Sequence, residues 1–112
     1  MKRLALTVSL AVAQTLAASP TSAQNYKILQ SQSELELARI LRSGINSAGY
    51  PCTDATTIQF NGSDREDAGY WAVACSDGGN WMVQVENNDR GTISVTPCEL
   101  LKVLKIECWE KF

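Results

Sequence analysis

Leu37, Leu41, Ile45 and Ala48, with Ala38 beside them, recur at helical spacing, while Glu36, Arg39, Arg42, Ser43 and Asn46 fall on other sides. That stripe predicts an amphipathic helix. Ser33-Glu34-Leu35-Glu36 fits a capping box at its start, and Ser31 to Glu34 offers the same box two residues earlier. Gly49-Tyr50-Pro51 ends it, because glycine adopts a left-handed C′ conformation and proline cannot continue the helix. Gly44, next to the stripe, costs about 1 kcal/mol against alanine and allows a close approach to a sheet.

After Cys52 the period changes from about four to two. Ile58 and Phe60 alternate with Thr57 and Gln59. Trp71, Val73 and Cys75 alternate with Tyr70, Ala72 and Ala74. Trp81, Val83 and Val85 alternate with Met82, Gln84 and Glu86, and Ile93 and Val95 with Thr92, Ser94 and Thr96. Four short alternating runs separated by turn residues predict an antiparallel meander with one wet face. A three-residue loop Asp77-Gly78-Gly79 sets Cys75 opposite Trp81, Val73 opposite Val83 and Trp71 opposite Val85, so apolar residues meet on one face. Asn88-Asp89-Arg90-Gly91 makes the next turn, with Val85 opposite Ile93, and Asn61 to Gly69 reads as a longer polar loop.

Thr96-Pro97-Cys98-Glu99 reads as a second helix start, with Thr as cap and Pro at the first helical position. Leu100, Leu101, Val103, Leu104 and Ile106 then supply further core. The predicted fold class is α+β: an N-terminal helix packed on a four-stranded antiparallel meander, then a short C-terminal helix, with both helices on the apolar face.

Residues 4 to 18 are apolar or small except for Gln14, with Lys2 and Arg3 before them and Pro20-Thr21-Ser22-Ala23 after them. This is the layout of a secretory signal peptide, with cleavage expected after Ala23. The run is shorter than the ~20 apolar residues of a transmembrane helix. Removing 23 of 112 residues leaves 89: a flexible lead-in over 24–32 and a single domain over 33–112. Net charge moves from −2 to −4, since Lys2 and Arg3 leave 8 basic against 12 acidic residues. Without a basic stripe, binding to nucleic acid or anionic lipid is not expected.

A core this small is marginal alone. Cys52, Cys75, Cys98 and Cys108 all lie in the mature part, and an even count in a short exported chain reads as a disulfide framework. A zinc site usually draws on close CxxC-type pairs, whereas the gaps here are 22, 22 and 9 residues. Cys75 and Cys98 flank the third strand, about 9–10 Å apart, beyond the roughly 7 Å that a bridge spans. Cys52–Cys75 with Cys98–Cys108 is the favoured set. The second pair requires the last helix to end and the chain to turn back, with no Gly or Pro to mark the turn, so Cys52–Cys98 with Cys75–Cys108 stays open.

Histidine is absent, which removes Ser-His and Cys-His nucleophiles and the commonest metal ligand. Asp64, Glu66 and Asp67 crowd one loop, but their spacing matches no calcium loop and Arg65 offsets their charge. No catalytic residue, metal or cofactor is expected. Asn61-Gly62-Ser63 is a glycosylation sequon, relevant only in a eukaryotic secretory pathway. Trp71 and Trp81 fall on the core side. Tyr70 and Met82 fall on the opposite face, where an aromatic beside a methionine marks a candidate partner surface. Trp109 and Phe112 fit either core or tail.

The capped helix followed by "GYWAVACSDGGNWMVQVENNDRGTISV" resembles PepSY-type periplasmic domains, in which a helix precedes a meander with a turn glycine before its last strand. The cysteine-framed "VACSDGGNWMVQV…C…C" is also similar to small exported proteins of Gram-negative bacteria. The likeness covers residues 33 to 98; the cysteines and the terminal helix depart from the PepSY pattern. It implies a non-catalytic periplasmic module that binds or inhibits another protein. The alternatives are an accessory subunit of an envelope complex and, further off, a small carboxylate-dependent hydrolase.

Overall fold

The computed structural model describes residues 26–88 and 90–112; the expected signal peptide lies outside them. Helix α1 (Tyr26–Gln30) leads to α2 (Glu34–Ser47). The strands are β1 (Ala55–Ser63), β2 (Gly69–Cys75), β3 (Asn80–Val85) and β4 (Ile93–Pro97), followed by α3 (Cys98–Val103). The strands form one antiparallel sheet in chain order, so β1 and β4 are its edges. The α+β class and the helix–meander–helix order are those the periodicity predicts.

Ser33 caps α2, its hydroxyl accepting from the Glu36 amide at 3.1 Å. The return arm of the capping box is not made, and the Glu36 carboxylate instead accepts from Arg39. At the far end, Gly49 (φ +96°) donates to Asn46 and Tyr50 donates to Ile45, the two bonds of a Schellman turn. Leu41 and Ile45 are fully buried against Trp71, Val73, Trp81, Val83 and Val85. Gly44 lets the helix approach β4: a Cβ there would stand 3.1 Å from Ile93.

The β2–β3 register differs from expectation by two residues. Trp71 lies opposite Val83, and Val73 opposite Trp81. The loop has the expected three residues but they are Ser76-Asp77-Gly78, closed by a Cys75 amide bond to Gly79 and a Gly78 amide bond to Cys75. Gly78 takes the positive φ, +102°. Moving a loop by one residue moves the register by two, so every side chain keeps its face. Gly79 instead passes flat over the Trp81 ring, where a Cβ would collide. Val85 faces Ile93 as predicted.

Cys52 is bonded to Cys75, and Cys98 to Cys108. The first bridge ties the exit of α2 to the β2 end within the main core. Its surroundings are well fixed: Asn46 donates to the Cys52 carbonyl and accepts from its amide, while Asp77 accepts from the Thr53 amide and hydroxyl. The second bridge is possible because α3 stops at Val103. Lys105 adopts φ +63° and donates to Lys102, while Ile106 donates to Leu101, a second Schellman turn with lysine where glycine is usual. Left-handed backbone costs a non-glycine residue roughly 1–2 kcal/mol. Lys105→Gly is therefore expected to raise stability by up to about 1 kcal/mol, part of the gain being offset by the entropy of a freer unfolded chain. Urea denaturation of the oxidised protein checks this, and a fall in stability refutes the turn.

Three expectations are corrected. The Thr96-Pro97 start is displaced, because both residues remain in β4 and α3 begins at Cys98 without a side-chain cap. From Tyr26 onward the lead-in is docked: Tyr26 is buried, stacks on Phe60 at 5.6 Å and donates to Asp67. It sits where a side chain on Gly69 would be. Finally, α3 does not share the α2 face. Its Cys98 and Leu101 pack with Met82, Tyr70 and Cys108 on the other side, so the sheet is clad on both faces.

Candidate functional site

Sheet alternation puts Gln59, Tyr70, Ala72, Met82, Gln84 and Thr96 on the second face, away from Trp71 and Val83. Residues 98–112 fold over it as a disulfide-closed C-terminal lobe. Asn61 fastens the lobe to β1. It is almost fully buried, its amide donates to the Cys108 carbonyl at 2.7 Å, and its carbonyl oxygen accepts from Gln59. Gln59 also donates to the Trp109 carbonyl, and the Phe112 amide donates to the Asn61 backbone. The polar loop expected from Asn61 thus begins only after Ser63, and the sequon asparagine is an internal tie with no free amide to modify.

Tyr70 and Met82, expected on an exposed face, do come together, although Met82 is buried and Tyr70 is half-buried. With Gln84, Thr96, Leu101, Ile106, Phe112 and Asp64 they line a hollow of about 280 Å³. Phe112 meets Tyr70 edge-on at 5.0 Å and forms one wall. Among the described residues, Asp64 is the sole charged side chain of the lining.

The acidic loop is occupied structurally. One Asp64 oxygen accepts from the Glu66 and Ala68 amides, and the other from the Tyr70 hydroxyl at 2.7 Å. These bonds, led by that from Tyr70, hold the Asp64 carboxyl below its ordinary value. Burial, then Asp64 as acceptor and the charges of Asp64, Glu86 and Glu66, push the Tyr70 phenol up to about 12. Tyr70 is thereby a standing donor and Asp64 a standing anion. Asp67 turns away to Tyr26 and Lys27, so the three acids do not converge on one reacting centre. Among the described residues, no group of three acidic or cysteine side chains is placed to hold a metal.

A depressed carboxyl stabilises the fold fully above its unfolded value, and that contribution is lost as pH falls through the folded value. Asp77 is lowered in the same direction, first by the Thr53 amide. Stability is expected to fall as pH drops below ~4, and to fall less in Asp64→Asn and Asp77→Asn. Urea midpoints across that range test this; equal acid sensitivity in all three proteins refutes it.

The lobe's exterior is the larger departure from expectation. Leu100, Val103 and Leu104, read as core, are 58%, 78% and 67% exposed, and Ile106, Trp109 and Phe112 are exposed with them. Leu100, Leu101 and Val103 lie on α3, whereas Leu104 and Ile106 fall in the turn beyond it; because α3 is a short helix on the second face, most of these side chains point outward. Leu101 packs on the Met82 cluster, and Ile106, 43% exposed, lines the hollow beside it. A broader groove of about 600 Å³ runs between α2 and β4, past Gly44 and Ile93.

Fold and site together define a small disulfide-bonded α+β domain with an apolar C-terminal lobe. No family model, curated protein or solved structure matches the chain.

Proposed function

We propose that this chain is an exported, non-catalytic domain that binds another protein through its C-terminal lobe. The observation that supports it is the cluster of six exposed large apolar residues within 100–112, a density that marks a contact surface. A disulfide closes the lobe and fixes that surface before any partner arrives, lowering the ordering cost of association. Two disulfides also suit the oxidising compartment to which the expected signal peptide directs the chain. No helix among the described residues is long and apolar enough to cross a membrane. A lipid-facing lobe is less favoured, because Lys102, Lys105 and Lys111 are balanced by Glu99, Glu107 and Glu110. The PepSY-like order of helix and meander agrees with a binding or inhibitory module.

A photo-reactive amino acid placed at Leu104 of the exported protein should yield one discrete protein adduct, and the same group at the exposed Thr57 should yield none. The adduct should vanish when Leu100 and Val103 are replaced by serine. Equal labelling from both positions, or none from Leu104, overturns the assignment of this surface.

A further inference from the structure

We propose that the hollow between the sheet and the C-terminal lobe takes one large apolar side chain from an extended segment of another protein, with a neighbouring lysine or arginine meeting Asp64. This deepens the protein-binding reading and rests on it. At about 280 Å³ the hollow is smaller than the usual range for drug-sized ligands, and suits a single side chain instead. Its walls are Met82, Leu101, Ile106, Phe112 and the Tyr70 ring, so the occupant's body is apolar.

Charge sets the rest. Asp64 stands at the hollow with no cationic side chain in the lining among the described residues, and its hydrogen bonds keep it ionised. Glu66 and Glu86 lie close enough to act on the same Tyr70 phenol, and Glu86 is steadied by Gln84. An anion in a half-enclosed apolar site favours a cation that brings its own apolar stem, which lysine and arginine both do. The segment is extended because Thr96, a wall of the hollow, belongs to the edge strand β4, alongside which a partner backbone can lie. A second copy of α3 does not supply such a segment, since it is helical and locked by Cys98–Cys108.

The test titrates the oxidised, isotope-labelled protein with three peptides, KKLFKK, EELFEE and KKSSKK, followed by amide chemical shifts. KKLFKK should perturb Tyr70, Met82, Thr96, Leu101 and Ile106, and the other two should bind at least tenfold more weakly. Asp64→Asn keeps the loop's acceptor and should weaken KKLFKK about fivefold, the scale of an exposed ion pair. Thr96→Phe fills the hollow and should abolish binding, with shift dispersion reporting that each variant is folded. No response at the hollow, or an equal response to EELFEE, overturns the proposal. So does binding to phosphatidylglycerol vesicles in place of peptide, or dimerisation in sedimentation that buries these residues. If the Leu104 adduct forms while KKLFKK fails, protein binding stands and this occupant falls; if both fail, the parent reading falls too.

Discussion

Trp71→Ala is expected to lower the unfolding free energy by about 3–5 kcal/mol, the range for removing a large buried aromatic. The ring is 1% exposed, lies 4.9 Å from the Phe60 ring and faces Val83 across the sheet. Its neighbours are held from two directions, by α2 above and by the strand pairing beside them, so the cavity cannot collapse fully. For a domain of this size each kcal/mol moves the melting temperature by about 4–8 °C, and a loss of at least about 12 °C in calorimetry is expected. A shift under about 5 °C would place Trp71 outside the main core.

Replacing Cys52 and Cys75 together by alanine is expected to cost about 3 kcal/mol. The bridge spans 23 positions in sequence, and in the chain-entropy account closing such a loop restricts the unfolded chain by roughly that amount. Both sulfurs also sit inside the main core, so the substitution removes buried contacts as well. Total stability for a chain this small is on the order of 5–10 kcal/mol. The double variant should therefore remain folded at 25 °C but with its urea midpoint reduced by a third or more. An unchanged midpoint would mean that Asn46 and the Asp77–Thr53 clamp hold the junction unaided.

Most of the first side of the molecule was readable from residue order. The stripe through Leu37, Leu41 and Ile45 and the alternation of Trp71, Val73, Trp81 and Val83 are strong periodic signals, and a register error of two leaves faces unchanged. The second side was hidden for specific reasons. Asn61 reads as a turn residue until its long-range bond to Cys108 is known, forty-seven positions away. Lys105 carries no sign of a left-handed turn, although the Cys98–Cys108 pairing demanded a reversal somewhere between those residues. Leu100, Val103 and Leu104 have the composition of core, and only the side of the sheet on which α3 lands turns them outward. Tyr70 and Met82 were legible as residues of interest; that they form the floor of a hollow was not, because its walls come from residues 101, 106 and 112.

Each bridge closes over its own side of the sheet, and no bridge joins the two coverings. Residues 98–112 are contiguous and carry their own crosslink, and Asn61 and Gln59 supply their main polar ties to β1. Residues 98–112 are therefore a cassette: their outward side chains can drift under selection, or be rewritten by a designer, without disturbing the packing beneath α2.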